Sequence, residues 1–390
     1  MTAMTGHMWR GRRMPSALDV LMPGGIADSP DTGNTLLIGW ELGGGHGHVL
    51  RLVPVVRGYL ERGWRVVAAL RDVPTGNIWL DGLRAMVGPQ RLQVIQAPRF
   101  ADRRAGDEPP VSLAEILCRT GFDDAATVRP LVHHWQAIVR VFRPDAVLSD
   151  FAPALNLAVR GRLPLSVIGN GWTLPPDRDG PVPFAVPAEA TPTIDHQARI
   201  LCCARAVAGP DHAPQRFCDL LRGDINALCV IPELDPYHDH RTDAWLWSPE
   251  MPAPQPVPPT QRAGGLVYLP PHHPARASVT QACANSNMPF RAYFGGAGAG
   301  QFGNLTVMDE PIDFIRKVPR SKVVIHHGGL GTAMWALVND VAQWACPDDA
   351  EKRIYRDLLN RHNAAGGLSR TMQANLAMIP FQSPLTTHAE

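Results

Sequence analysis

The stretch TLLIGWELGGGHGHVLRLVPVVRGYLERGWRVVAAL, residues 35–70, decides the fold class. Its first eight residues, Thr35–Leu42, are mostly apolar and suit a buried strand. Gly43–His48 follows as a glycine–histidine loop. Val49, Leu52, Val53, Val56 and Leu60 then recur at helical spacing as far as Arg62, with Pro54 near enough to the start to be tolerated. Gly63 ends this helix and Trp64–Leu70 is the next apolar strand. Strand, loop, helix and strand in that order seed a parallel sheet.

The alternation continues outward. Leu92–Gln96, Ala146–Leu148 and Leu165–Ile168 read as strands, and Ala125–Phe142 and Ala152–Arg160 as helices. Residues 177–250 are rich in loops, with helices expected near Gln197–Val207 and Pro214–Leu221. Met251–Pro259 carries too many prolines for a regular element and reads as an interdomain linker. Beyond it, Leu266–Leu269, Phe290–Phe294, Leu305–Met308, Val323–Ile325 and Gln343–Cys346 are expected strands. Ala275–Ser286, Gly331–Val338 and Asp349–Asn360 are the helices of that series. The expectation is an α/β protein with two Rossmann-like domains, 35–250 and 265–390, joined by a linker at 251–264. They would face a cleft toward which the strands' C-terminal ends turn. Residues 1–34 show no periodicity and read as a disordered lead-in.

Composition excludes several classes. Thirty-seven Lys plus Arg against 36 Asp plus Glu leave a net charge of +1, which argues against non-specific nucleic-acid binding. With 45% hydrophobic and 19% charged residues the chain can fill sizeable cores. No apolar run approaches the ~20 residues of a membrane span, and residues 1–31 lack the apolar core of a secretory signal. Seven cysteines without C-x-x-C spacing fit reduced thiols. A cytoplasmic protein is expected, and the scarcity of Lys beside Arg suggests a GC-rich bacterial genome.

Three loops could carry chemistry. Gly43–His48 lets backbone amides approach a ligand at a helix start, though a tight turn with histidines beside it explains the pattern equally well. Glu41 is the only carboxylate near it in sequence and no H-E-x-x-H follows, so no metal is expected. His326, His327, Gly328, Gly329, Gly331 and Thr332 lead an apolar strand directly into a helix, a ready anion site without the Lys of a P-loop. Gly298-Ala299-Gly300-Gln301-Phe302-Gly303 matches G-x-G-x-x-G, but Asn304–Met308 reads as extended, so no helix opens on it. Asp150, at a strand end, serves as a helix N-cap or orients a histidine, or both.

The glycine–histidine loop, the later Asp, the proline linker and H-H-G-G-x-G-T together resemble the two-domain GT-B glycosyltransferases. The pattern is most like family 1, the UDP-glucosyl/glucuronosyl and macrolide type, over roughly residues 35–360. The resemblance implies an inverting transfer of a sugar from a UDP- or TDP-sugar to a hydroxyl of a small lipophilic or natural-product acceptor. It makes His48, in Gly47-His48-Val49, the general base, with His46 as fallback and Asp150 of Ser149-Asp150 as support. It assigns His326 to the donor diphosphate and His327, Gly328, Gly329, Gly331 and Thr332 to the surrounding loop. The family's acidic-Gln pair for the donor sugar falls on Glu351-Lys352, with Lys in place of Gln, so Asp348 or Asp349 could serve instead. Neither cofactor nor metal is implied.

The acceptor pocket is expected in residues 75–125 and 170–220, where loops dominate, with Phe100, Trp172 and Phe184 as candidate lining. Peripheral membrane contact fits a lipophilic acceptor. The family's last helix, crossing back to the first domain, has no clear counterpart in residues 363–390, so a shortened second domain is expected. That departure and Lys352 motivate another reading, a catalytically silent nucleotide-sugar-binding partner. A GT-B nucleotide-sugar epimerase is the rival enzyme.

Overall fold

The computed structural model describes residues 6–22, 33–100, 110, 112–180, 195–296 and 298–362. The chain forms two compact units, Met1–Met251 and Pro252–Glu390.

The first unit opens with β1 (Gly6–Trp9) and β2 (Arg12–Pro15), an antiparallel hairpin, followed by the short helix α1 (Ala17–Leu21). For residues 6–22 this corrects the reading of a disordered lead-in over 1–34. Arg10 and Gly11 both take positive φ, the geometry of a two-residue hairpin turn. Ala17 and Leu21 are buried in the core of the unit. The Trp247 amide donates to Pro15 O at 2.8 Å, and the Ala17 amide to Trp247 O at 3.1 Å. The apolar residues are too few for a periodic signal, but their partners lie more than two hundred positions away.

The series that follows is β3 (Thr35–Trp40), α2 (His46–Glu61), β4 (Arg65–Leu70), α3 (Val73–Val87), β5 (Leu92–Gln96), α4 (Leu113–Arg119), α5 (Ala125–Phe142) and β6 (Ala146–Asp150). It continues with α6 (Pro153–Val159), β7 (Leu165–Gly169), α7 (His196–Ala208), β8 (Ile225–Cys229) and β9 (Trp245–Leu246). The strands form a parallel sheet in the order β5-β4-β3-β6-β7-β8-β9. Residues 75–125 are therefore less loop-like than expected. Asp72 caps α3 by accepting the Thr75 amide, and Leu80 and Leu83 bury its inner face. Near Pro214–Leu221 only a 3-10 turn forms, at Cys218–Leu221.

The loop between β8 and β9 is organised by a charge without solvent. Asp235 is 0% exposed and accepts from Arg241 Nε at 2.8 Å, Arg241 Nη2 at 3.0 Å, Trp245 Nε1 at 2.9 Å and the Tyr237 amide at 3.0 Å. Arg241 in turn reaches Asp243, which Arg222 also holds.

The second unit contains β10 (Gly265–Tyr268), α8 (Arg276–Ala284), β11 (Phe290–Tyr293), β12 (Gly300–Phe302), β13 (Leu305–Met308), α9 (Phe314–Lys317), β14 (Val323–His326), α10 (Leu330–Val338), β15 (Ala342–Ala345) and α11 (Ala350–His362). Its sheet order is β12-β13-β11-β10-β14-β15, parallel except for β12. The G-x-G-x-x-G match lies on the β12–β13 hairpin and opens no helix. Val267, Phe290, Leu305, Val323 and Ile325 fill the core. The proline-rich stretch holds no strand or α-helix before β10. The Gln255 amide donates to Asn339 Oδ1 at 2.8 Å, and Arg262 Nη2 to Asn339 O at 3.0 Å, tying it to its own unit.

Two mostly parallel sheets with flanking helices make this an α/β protein of two Rossmann-like units. Among the described residues no helix is long and apolar enough to cross a membrane. Residues 363–390, on which the expectation of a shortened second domain rested, lie outside the described residues, as does Phe184. Replacing Asp235 by Ala leaves Arg241 buried without its main partner. A loss of about 3–5 kcal/mol is expected in urea unfolding of the full chain. A loss under about 1 kcal/mol would show that solvent relieves the stranded guanidinium.

Candidate functional site

In the first unit the site grows from the neighbouring strands β3 and β6, whose register sets Trp40 opposite Asp150. The chain after β3 turns through Gly43 and Gly45, both at positive φ, and α2 starts at His46. The helix thus begins earlier than its apolar periodicity suggested, and both histidines lie in its first turn. They differ in environment. His46 is exposed, whereas His48 is only 9% exposed.

His48 Nδ1 lies 3.0 Å from Asp150 Oδ1. A carboxylate only accepts, so Nδ1 carries the proton and the neutral ring keeps its lone pair on Nε2. Trp40 stacks on the imidazole at 4.9 Å with an interplanar angle of 19°. A Cβ on Gly43 would stand 2.5 Å from Nε2, so only glycine lets the loop run beside that atom. Asp150 is 0% exposed. Burial pushes its carboxyl up, but the charges of His48 and Arg51 and the His48 hydrogen bond outweigh this and hold it below the ordinary value. The next residue, Phe151, is held at φ 47°, a left-handed conformation that bends the chain immediately after the carboxylate.

The other groups near the loop are engaged elsewhere. His46 Nδ1 accepts from Trp79 Nε1 at 2.9 Å, so a neutral His46 has its one lone-pair nitrogen in use. Glu41 is 1% exposed and turns inward. Its Oε2 accepts the Ala154 amide at 2.9 Å and its Oε1 the Leu155 amide at 2.8 Å and the Trp135 indole. It closes the start of α6 and takes no part in the histidine cluster. Of the expected acceptor-lining aromatics, Trp172 is buried at 5% exposure and Phe100 packs on Phe122. Trp79, on α3, is instead exposed at 39% beside His46, and its chain neighbour Ile78 is exposed at 67%.

In the second unit, Tyr293, Tyr268 and His326 stand in one row at the C-terminal ends of β11, β10 and β14. His326 is 0% exposed. Its Nδ1 accepts the Gly328 amide at 3.0 Å, and its Nε2 donates to Gln343 Oε1 at 3.0 Å, with Gln343 Nε2 donating to Ala333 O. Burial and the neighbouring His327 drive it down to about 4, and Gln343 only partly opposes this. The expected diphosphate contact through His326 therefore finds both ring nitrogens spent on shaping the loop.

His327 is half-buried and its Nδ1 has no hydrogen-bond partner among the described residues. Burial, then the charge of Lys352, lowers it to about 4, so it is neutral near pH 7. Its ring meets Tyr268 edge-on at 5.6 Å, and Tyr268 meets Phe314 at 4.9 Å and stacks near Tyr293 at 6.4 Å. Gly329 caps α10 without a side-chain hydrogen bond, and the space over Gly331 is open.

The acidic candidates divide their roles. Asp349 accepts the Lys352 amide at 2.9 Å and caps α11. Glu351 Oε1 accepts from Tyr355 within the same helix. Asp348 holds Lys352 Nζ at 2.5 Å, with Asp349 at 2.9 Å. Burial presses the Lys352 ammonium down, but these hydrogen bonds outweigh it and keep the group above its ordinary value. Sequence reasoning did not single out Tyr268, Tyr293 or Phe314, because aromatics at strand ends look like core until the sheet order sets them side by side.

No protein-family model matches the chain, and no curated protein matches it by sequence. Solved structures do resemble it. The glycosyltransferase of kitacinnamycin superposes with a TM-score of 0.53 at 14% identity, covering 86% of this chain and 85% of its own. SsfS6 from Streptomyces sp. SF2575, complexed with thymidine diphosphate, gives 0.52 at 16% identity over 89% and 94%. The spinosyn rhamnosyltransferase SpnG, complexed with spinosyn aglycone, gives 0.52 at 15% identity over 88% and 96%. At such identities the likeness shows the fold.

Glu41 makes the first unit's stability depend on pH. Burial raises it from 4.5 to about 8, against the Ala154 and Leu155 amides and the Trp135 indole, so the native chain holds a proton that the unfolded chain has released between those values. That contribution is complete below the unfolded value and lost as pH rises through the folded one. Relative to Glu41→Gln, the wild type should lose up to ~1.4 kcal/mol per pH unit across this window in urea unfolding. Parallel pH profiles would mean that the native carboxylate is ionised.

Proposed function

We propose that the protein is an inverting glycosyltransferase that moves a sugar from a nucleoside diphosphate to a hydroxyl of a small lipophilic acceptor. The observation that carries this reading is the buried His48–Asp150 pair, which leaves Nε2 of a neutral imidazole as the available lone pair. An acceptor hydroxyl loses its proton to Nε2 as its oxygen attacks the anomeric carbon. Asp150 stabilises the imidazolium that forms, and the displaced diphosphate leaves from the opposite face. His46, with its lone pair engaged by Trp79, offers the acceptor an Nε2–H donor instead of a base.

For the donor, the uncapped start of α10 supplies amides and the positive end of the helix dipole. We assign the ring that meets the diphosphate to His327 and a strut's role to His326. Thr332, within the first turn of α10, is a further donor to the phosphates, and Tyr268 and Phe314 give a base an aromatic surface. The scheme places these amides and the helix dipole against the charge of the leaving group, and Lys352, already held by Asp348 and Asp349, adds little to them. The thymidine diphosphate bound by SsfS6 and the aglycone bound by SpnG support a nucleotide-sugar donor and a natural-product acceptor here.

Thermal-shift titration with UDP and TDP tests the donor half. A saturable shift is expected for one of them, weakened about tenfold or more in His327→Ala. His326→Ala should lower the melting temperature even without nucleotide, since it leaves the Gly328 amide and Gln343 without their partner. No shift with either nucleotide would remove the donor assignment. For the acceptor half, His48→Ala should lower transfer by about 10²–10⁴ while nucleotide binding is kept. Retained turnover would exclude His48 as the base. Nucleotide binding by the wild type with no turnover across an acceptor screen would favour a silent partner protein.

A further inference from the structure

A charged side chain that the transfer scheme does not use lies buried behind the dyad. Arg51 follows His48 by three residues on α2, so the two project from the same face, and it is only 6% exposed. A buried guanidinium needs an anionic neighbour. Asp150 is the buried carboxylate on this face. Its Oδ1 is taken by His48, while Oδ2 is buried with no hydrogen-bond partner among the described residues. A buried, ionised carboxylate with one oxygen unbonded by the protein needs a counter-charge nearby.

The titratable and charged groups around Asp150 come from three elements. His48 and Arg51 belong to α2, Cys229 ends β8, and Glu250 lies in the segment after β9. Glu250 also feels Arg51 and accepts from Ser248 Oγ at 2.5 Å. Burial pushes the Cys229 thiol far up, so it is neutral and supplies no charge. Around Asp150, Arg51 supplies a positive charge that does not depend on the pair's own proton.

We propose that Arg51 is a positioning residue of the dyad, its guanidinium serving as the counter-charge of Asp150 and thereby fixing the tautomer of His48. The transfer scheme requires a neutral ring with its lone pair on Nε2 facing an ionised Asp150. That state has one negative charge in a buried site. With Arg51 present the charge is balanced while His48 is neutral, and a proton on the ring would leave a net positive charge. Without it, the pair keeps a proton to higher pH, because removing a nearby cation raises the proton affinity of both members together. The competing explanation is a purely structural Arg51–Glu250 contact tying α2 to the segment after β9.

The inference rests on the dyad reading of the proposed function but is tested without substrate. The full chain is labelled with ¹³C at histidine Cε1, and His48→Gln assigns the His48 signal. The expected result is that Arg51→Met moves the midpoint of that signal's pH titration upward by about one unit or more, while Arg51→Lys stays with the wild type. An unchanged midpoint in Arg51→Met would overturn the proposal and leave Arg51 a structural residue. Should Arg51→Met not fold, the double variant Arg51→Met with Glu250→Gln removes both members of the structural contact and leaves no lone charge. There Glu250→Gln alone is the reference, since Glu250 also interacts with Asp150; an upward shift relative to it is expected, and its absence would equally overturn the proposal. If His48→Ala retains transfer, the base assignment falls, but the titration still reports on Arg51.

Discussion

The hydrogen bond between His48 and Asp150 spans 102 positions of sequence and exists because β3 and β6 are neighbours in one parallel sheet. In a parallel sheet all strands deliver their C-terminal ends to the same edge. Trp40 and Asp150 end their strands opposite one another, and the tight turn through Gly43 and Gly45 starts α2 within reach of that carboxylate. Trp40 then packs flat on the imidazole it helps to place. Close packing follows from the same adjacency. A Cβ on Gly39, in β3, would stand 2.2 Å from Leu155 of α6, and a larger residue would push apart the elements that hold the pair.

The second sheet repeats this logic with a different charge balance. Its edge brings Tyr293, Tyr268 and His326 into one row, and the turn after β14 carries His327 and the glycines to the start of α10. His326 is spent inside, bonded on both sides of the ring, and its neutrality follows from burial. The cation nearest the loop is Lys352, already held by Asp348 and Asp349. A lysine in that grip is a positioned charge of limited strength, since two carboxylates more than cancel it. Where the family resemblance places an acidic-Gln pair, this chain has Glu351-Lys352, and its lysine is turned to two aspartates.

The sequence made different parts of this legible for different reasons. The strands and helices around 35–70 and 323–338 were readable because buried parallel strands are continuous apolar runs and their helices have a clean 3.6-residue period. The hairpin at Gly6–Pro15 and the helix at Ala17–Leu21 were not, since each is too short for a period. Residues 225–250 were opaque for another reason. Their organiser is Asp235, a charged residue that any reading from polarity places outside, and only Arg241 and Trp245 around it make its burial tolerable. Trp79 was lost within a helix read as loop, and its bond to His46 removes the lone pair on which a fallback base would depend.

By itself the sequence determined that the chain is α/β in two series, and it named the histidines, glycines and Asp150 as the residues at the strand ends. Those are local facts, since apolar period, glycine clusters and strand-to-helix junctions depend on neighbours a few positions apart. Which histidine carries the available lone pair, which is a buried strut, and which acid merely caps a helix were decided only by the tertiary structure. Protonation and tautomer follow from solvent exclusion and from partners distant in sequence. His46 with Trp79, His48 with Asp150, and His326 with Gln343 are alike as residue types and differ only in what the folded chain sets against each ring nitrogen.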